Sequence, residues 1–342
     1  MKRIGVLTGG GDVPGLNAAI RAVVRRAEEK GLEVTGVRDG WRGLVADDTF
    51  PLTREAISGI LPRGGTILGT SRTNPLKSAD GVSRVKATLA RRQIDALVAI
   101  GGDDTLGAAY QLSQQGVPVV GVPKTMDNDV VGTDTTIGFD TAVNTVTNAL
   151  DGLHSTADAH HRIMVVEVMG RDAGWVATLG GLAGGADVVL VPEVPFDIDD
   201  VCATLRKRQA AGKMFSIVVV AEGATPKQGA TQVVQGAQVD QFGHARLGGI
   251  AAVLAQEIEQ RMEHETRFVV LGHLQRAGSP SAFDRVLATR LGVAAVDELV
   301  AGRTGVMVAL RGTQVVSVPL ADVVKGTRTV DPALYALTRL FW

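Results

Sequence analysis

Eight strand-length apolar runs punctuate the chain, and most are hydrophobic at nearly every position. They are IGVLT (4–8), EVTGV (33–37), ALVAIGG (96–102), PVVGVP (118–123), IMVVEVMG (163–170), VVLVP (188–192), SIVVVAEG (216–223) and FVVLGH (268–273). A strand with one wet face would alternate; continuous runs imply parallel strands covered on both faces. Helical patterns lie between them. Leu16, Ile20, Val23, Val24 and Ala27 form one apolar stripe that ends at Gly31, and Phe139, Ala142, Val143, Val146, Leu150 and Leu153 form a second. This strand–helix alternation predicts a doubly wound α/β architecture. A chain of 342 residues is one large unit or two of ordinary size. Two α/β halves of broadly similar make-up, with a switch near residue 138, are expected.

The polar residues fall where such an architecture binds ligands. Thr8-Gly9-Gly10-Gly11, Gly101 to Asp104, Lys124 to Asp129, Met169 to Arg171, Glu222 and His273 to Arg276 each follow the carboxyl end of an apolar run. In open parallel sheets that edge carries the ligand, so six such placements imply a shared site. The formal net charge of −1 argues against a nucleic-acid or membrane-surface protein. Aromatic residues, at 4%, leave few stacking platforms for bases. An anionic substrate would have to be met by a local cluster of arginines. Cys202 is the single cysteine, which excludes an internal disulfide and suits a reducing compartment. No apolar run approaches the roughly 18–20 residues of a membrane helix. The start, MKRIGVLTGGGD, enters a strand and glycine loop too soon for a signal peptide. A cytoplasmic location is expected.

Three motifs carry chemistry, each with a plainer alternative. LTGGGDVPGLNAAIRAVV reads as strand, glycine-rich turn and helix, whose N–H groups can approach phosphate oxygens; a purely structural turn would look the same. GGDD, at 101–104, joins two glycines to carboxylates that can hold Mg²⁺. Its plain reading, an aspartate capping the next helix, suits one of the two carboxylates better than both. In KTMDND, at 124–129, Asp127 and Asp129 lie two residues apart, so one can act as base while the other orients or binds metal. Lys124 and Thr125 supply donors for developing phosphoryl charge; a solvated acidic turn is the alternative. Arg162, Arg171, Arg267 and Arg276 accompany strand ends with His273, as recognition of an anionic sugar phosphate requires. His160 and His161 are sequence neighbours that would point apart, and no metal role is assigned to them. Residues 224–247, rich in Gly, Gln, Ala and Thr, read as an insertion or a flexible excursion.

Together GGGDVPGLNAAIR, RGGTILGTSR (63–72), GGDDT, PKTMDND, MGRDAGW, AEG and LGHLQRAGSPSAFDR resemble the phosphofructokinase family over nearly the whole chain. The resemblance implies two similar doubly wound domains with mainly parallel sheets and an active site in the cleft at strand carboxyl ends. It implies a phosphoryl-donor domain of residues 1–138 plus about 279–303, and a fructose 6-phosphate domain of residues 139–278 plus about 304–342. The implied reaction is phosphoryl transfer to the C1 hydroxyl of fructose 6-phosphate. Carried over by position, Asp127 would be the base, with Lys124, Thr125 and Asp129 beside it. Asp103 would bind Mg²⁺, and Gly10 and Arg72 would contact the donor. Arg162, Met169, Gly170, Arg171, Glu222, Arg267, His273 and Arg276, with Thr125 and Asp127, would bind the sugar phosphate. In the family the residues matching Arg162 and Arg267 come from a neighbouring subunit, which implies a homodimer or homotetramer. Arg21 and Arg25 match arginines of allosteric members, but a solvated helix face explains them equally, and no allosteric site is predicted.

The donor turns on two positions. ATP-using bacterial members typically carry glycine where this chain has Asp104 and Lys124, whereas pyrophosphate-using members resemble it at both. The charges agree: a carboxylate at 104 would repel the α-phosphate of ATP, and an ammonium at 124 would stabilise pyrophosphate. Pyrophosphate is therefore the expected donor. An ATP-dependent enzyme is the nearest alternative. Other kinases with a GGDGT-like motif would leave the sugar-site motifs unexplained, and a catalytically dead regulatory subunit would not need Asp103, Asp127, Asp129, Arg171 and Arg276 together.

Overall fold

The computed structural model describes residues 1–227, 234–239 and 245–341. These form two compact units: residues 1–141 with 276–327, and residues 142–227, 234–239, 245–275 and 328–341.

The first unit opens with β1 (Arg3–Thr8), α1 (Leu16–Glu29), β2 (Glu33–Val37), α2 (Trp41–Ala46) and β3 (Thr49–Pro51). It continues with α3 (Gly81–Arg92), β4 (Ala96–Gly101), α4 (Asp103–Gln114) and β5 (Val119–Pro123). Helix α5 (Phe139–His160) carries the chain onward to β6 (Ile163–Val168), α6 (Trp175–Ala183), β7 (Val188–Leu190), α7 (Ile198–Ala210) and β8 (Ser216–Ala221). Then come β9 (Val234–Val239), β10 (Ala245–Leu247), α8 (Ile250–Met262) and β11 (Thr266–Val270). The chain closes with α9 (Ala282–Val300), β12 (Val306–Arg311), β13 (Gln314–Pro319), α10 (Leu320–Val323) and α11 (Pro332–Thr338).

The first sheet has the order β13-β12-β5-β4-β1-β2-β3. Its inner strands are parallel, and antiparallel β3 and β13 close its two edges. The second sheet, β11-β6-β8-β7, is parallel throughout. All eight runs singled out in the sequence overlap a strand, and β4, β6 and β8 are buried along their whole length, as double-sided cover requires. In the first unit Leu97, Ala99, Val119, Met307 and Ala309 pack with Leu106 and Leu112 of α4. In the second, Val165, Val218 and Val220 pack with Cys202, Leu205, Leu254 and Ile258. Each fully buried Leu, Ile or Val contributes roughly 1.5–3 kcal/mol. Cys202 is a core residue whose thiol burial pushes up in pKa, so it is no nucleophile.

The unit boundaries differ from the sequence expectation in one substantial respect. Residues 304–327 were expected in the second half but extend the first sheet, because β12 pairs in parallel with β5 (Val306 opposite Val120) and turns back as β13. The neighbouring α9 packs on α1 through Gly292, where a Cβ would lie 2.7 Å from the Ala19 carbonyl oxygen. Asp284, fully buried on α9, accepts the N–H groups of Gly138 and Thr141 at 2.8 Å each and so caps the start of α5. The expected insertion at 224–247 includes 228–233 and 240–244, which lie outside the described residues; β9 and β10 within it pair antiparallel. Among the described residues no helix is long and apolar enough to cross a membrane.

Candidate active site

In the first unit the chain leaves β1 toward β2 on one side and, through β4, toward β5 on the other. The carboxyl ends of β1 and β4 therefore flank the switch point, where such sheets form a crevice. The two glycine turns meet there: the Gly9 N–H donates to the Ile100 carbonyl at 3.0 Å. Thr105 fills the space between them. A Cβ at Gly9 would lie 2.5 Å from Thr105 Oγ1, and one at Gly101 would lie 2.3 Å from Thr105 Cβ. These two glycines are thus demanded by packing, and Gly10 is the one held at a left-handed φ of +77°. Thr70 Oγ1 donates to the Gly10 carbonyl at 2.5 Å, and the Gly10 N–H donates to the Ser71 carbonyl at 3.2 Å. Those bonds tie Arg72, exposed at the end of RGGTILGTSR, to the glycine turn.

Asp103 and Asp104 open α4 directly after Gly102, with no side-chain cap. A carboxylate in a helix's first turn is worth roughly 0.3–1 kcal/mol against the macrodipole, but neither aspartate is the cap, since Gly102 holds that position. Asp103 is exposed and Asp104 half-buried at the same sheet edge. From Lys124 to Val130 burial alternates: Lys124, Met126, Asn128 and Val130 are buried, while Thr125, Asp127 and Asp129 are partly open. The three candidate residues thus share one accessible side. The segment is pinned from below. Asn128, at φ +55°, accepts the Thr136 N–H on Oδ1 at 3.1 Å, and Thr136 Oγ1 donates to the Thr125 carbonyl at 2.6 Å. The Asp127 N–H donates to Thr125 Oγ1 at 3.1 Å.

Lys124 is 2% exposed, and its Nζ donates to the Gly11 carbonyl at 2.5 Å. Burial, reinforced by the Arg276 guanidinium, brings its pKa down to about 7, against the opposing pull of Asp12, Asp127 and Asp129. Arg276 belongs to this unit and donates from Nη1 to the Asp12 carbonyl at 3.2 Å.

In the second unit three strand ends are joined by backbone bonds. The Glu222 N–H donates to the Val168 carbonyl at 2.8 Å, Gly223 to Gly170 at 3.0 Å, and Leu271 to Glu167 at 3.0 Å. Met169, Gly170, Arg171, Glu222 and His273 are thereby gathered at one sheet edge. Gln275, fully buried, accepts the Met169 N–H at 3.2 Å. Arg162 and Arg267 stand at the opposite, amino edge. Glu265 joins them, accepting from Arg162 at 2.8 Å and from Arg267 at 2.6 Å. Sequence reasoning missed Thr105, Asn128, Thr136 and Gln275. Only Asn128 had a signal, an asparagine in a tight acidic turn where a left-handed residue is tolerated.

Among the described residues no group of three or more His, Cys, Asp or Glu is placed to hold a metal ion. A cation that keeps several waters and needs only one or two carboxylates beside substrate phosphates remains compatible with Asp103.

The family model described as Phosphofructokinase matches residues 3–299. The chain is 56% identical over 342 residues to a pyrophosphate–fructose 6-phosphate 1-phosphotransferase of Streptomyces coelicolor, covering 99% of each. It is also 53% identical over 335 residues to ATP-dependent 6-phosphofructokinase 3 of the same organism, covering 98% of each. The structure of Pichia pastoris phosphofructokinase in the T-state aligns with a TM-score of 0.85 at 32% identity, covering 94% of this chain and 35% of that one. Overall identity does not separate the two donors.

Proposed function

Because the chain belongs to the phosphofructokinase family, we propose that it transfers a phosphoryl group from pyrophosphate to the C1 hydroxyl of fructose 6-phosphate, giving fructose 1,6-bisphosphate and phosphate. The observation that carries the choice of donor is the pair Asp104 and Lys124. Asp104 is a half-buried carboxylate opening α4, and Lys124 is a buried cation on the Gly11 carbonyl. A nucleotide's α-phosphate would meet the carboxylate, whereas pyrophosphate carries no third phosphate to be repelled.

In this reading Asp127 takes the C1 hydroxyl proton, with Thr125 and Asp129 on the same accessible side. The sugar oxygen forms its bond to phosphorus as the P–O–P bond breaks, and free phosphate leaves. Lys124 stabilises charge on the transferring and leaving groups. Gly10 and Arg72 bind the donor. Asp103 would hold a divalent cation, Mg²⁺, which when bound neutralises donor charge. Met169, Gly170, Arg171, Glu222, His273 and Arg276 hold the sugar phosphate. With fructose 6-phosphate and Mg²⁺, pyrophosphate alone should support turnover without any nucleotide; strict dependence on ATP would refute the reading.

Arg162 and Arg267 serve a neighbouring copy. They lie at the edge away from the other sugar-phosphate residues of their own unit. Beside them runs edge strand β11, on which Phe268 is 50% and Val270 46% exposed, an apolar edge that isolated proteins avoid. Co-assembled Arg267→Ala and Asp127→Ser subunits, each inactive alone, should regain activity in mixed oligomers. No recovery, with mixing established by mass, would count against sharing.

A further inference from the structure

The loop that carries Met169, Gly170 and Arg171 out of β6 is held at three points within its own unit. At its start, the buried Gln275 side chain accepts the Met169 N–H at 3.2 Å. In its middle, the Gly223 N–H donates to the Gly170 carbonyl at 3.0 Å, and a Cβ on Gly223 would lie 1.9 Å from the Arg171 carbonyl oxygen. At its end, the Gly174 N–H donates to Glu193, at 2.9 Å to Oε1 and 3.1 Å to Oε2. The same Oε1 accepts the Val330 N–H at 2.9 Å. One carboxylate thus joins the end of the ligand loop to a segment from the last part of the chain. Trp175, the next residue, is tied to that segment twice: its Nε1 donates to the Arg328 carbonyl at 2.9 Å, and the Arg328 guanidinium lies 4.1 Å from the ring centroid. The segment is itself fastened to the second sheet, because the buried Tyr335 of α11 donates its hydroxyl to the Val189 carbonyl of β7 at 2.9 Å.

We infer that Glu193 is a positioning residue for the sugar-phosphate subsite, and that residues 328–335 form a strap that completes it. The inference rests on the assignment of Met169, Gly170 and Arg171 to the sugar phosphate, and adds groups outside the set that binds it. An arginine recognises an anion through a planar fork, which works only when its backbone is fixed. The residue before Arg171 is Gly170, at φ +142°, and a glycine alone leaves the direction of the chain loose. The direction must come from the anchors at the ends of the loop. Gln275 supplies a neutral bond at one end, and Glu193 supplies charge-assisted bonds at the other, which are the stronger kind. The seat at Glu193 admits only glycine: a Cβ on Gly174 would lie 2.4 Å from Val191 Cγ1 and 2.9 Å from Glu193 Oε2. Because Gly174 and Val330 share one carboxylate oxygen, order in the loop and order in the strap are linked. A ligand that firms the loop firms the strap, and a loose strap weakens the ligand.

The test uses the full-length enzyme with Mg²⁺, comparing wild type with Glu193→Ala, Glu193→Gln and Trp175→Phe. Glu193→Ala should raise the KM for fructose 6-phosphate about 10-fold, as the loss of a charge-assisted hydrogen bond implies. The KM for pyrophosphate and kcat should stay within roughly threefold. Glu193→Gln, which keeps one oxygen for the shared bonds, should recover part of the loss. A merely structural glutamate would lower the melting temperature and the active fraction but leave both KM values unmoved. Hydrogen exchange read by mass spectrometry follows the linkage in wild type, and so preserves the test if the alanine variant does not fold. Fructose 6-phosphate should slow exchange in peptides spanning 169–175 and 328–335 together, and pyrophosphate alone should slow neither. In Trp175→Phe, which loses the indole donor to Arg328, the protection of 328–335 should weaken. An unchanged KM for fructose 6-phosphate in Glu193→Ala, equal rises in both KM values, or protection of 169–175 without 328–335 in wild type overturns the inference alone. A wild type in which fructose 6-phosphate protects neither segment refutes the underlying subsite assignment and the inference with it.

Discussion

Asp127→Ser should lower kcat by about 10²- to 10⁴-fold, the usual worth of a positioned acid–base group, and leave sugar-phosphate binding largely intact. The expectation follows from how the residue is held. Its backbone N–H is fixed on Thr125 Oγ1, and the turn beneath it is locked by Asn128 and Thr136. The carboxylate thus stays on the accessible side with little freedom to wander, as proton transfer from a bound hydroxyl requires. Serine keeps a small polar group in that space but cannot accept the proton at neutral pH. A variant retaining more than about a tenth of wild-type kcat would remove Asp127 from the role of base.

Lys124→Gly should lower kcat with pyrophosphate by about 10²- to 10³-fold, since an electrostatic donor aimed at developing charge is worth about 3–4 kcal/mol in comparable sites. Wild type should announce the same group through pH. The ammonium titrates near 7, so it is charged below that pH and increasingly neutral above it. The KM for pyrophosphate should therefore rise as pH climbs past about 7, and this dependence should vanish in Lys124→Gly. The stability linkage has its own sign. The folded pKa lies below the ordinary 10.5, so between about 7 and 10.5 the unfolded chain binds more protons, and this group's contribution to stability rises with pH. Initial rates from pH 6 to 9, with melting curves to verify folding, would check both; a flat KM in wild type would contradict the assignment.

The sheets were legible because burial on both faces writes itself as unbroken apolar runs, and each of the eight became a strand. The short antiparallel edges β3 and β13 have no such signature; half their residues face solvent or neighbours that sequence cannot specify. The placement of 304–327 failed for a related reason, since only the pairing of Val306 with Val120 decides which sheet β12 joins. In the site, residues bearing charge at strand ends were readable. The groups that hold them were not. Thr105 wedges two glycine turns apart, Asn128 and Thr136 lock the acidic turn, and Gln275 anchors Met169, each through contacts between segments distant in sequence or through one unusual dihedral.

The central claim is that Asp104 excludes a nucleotide while Lys124 favours pyrophosphate. The most direct measurement is kcat/KM for pyrophosphate and for ATP, each with saturating fructose 6-phosphate and Mg²⁺, in wild type and in Asp104→Gly. Wild type should prefer pyrophosphate. Asp104→Gly should gain ATP-dependent activity and lose efficiency with pyrophosphate, because like charges forced together in a poorly solvated site cost on the order of several kcal/mol and glycine removes that cost. A wild type that already prefers ATP, or a glycine variant that gains nothing with ATP, would contradict the account.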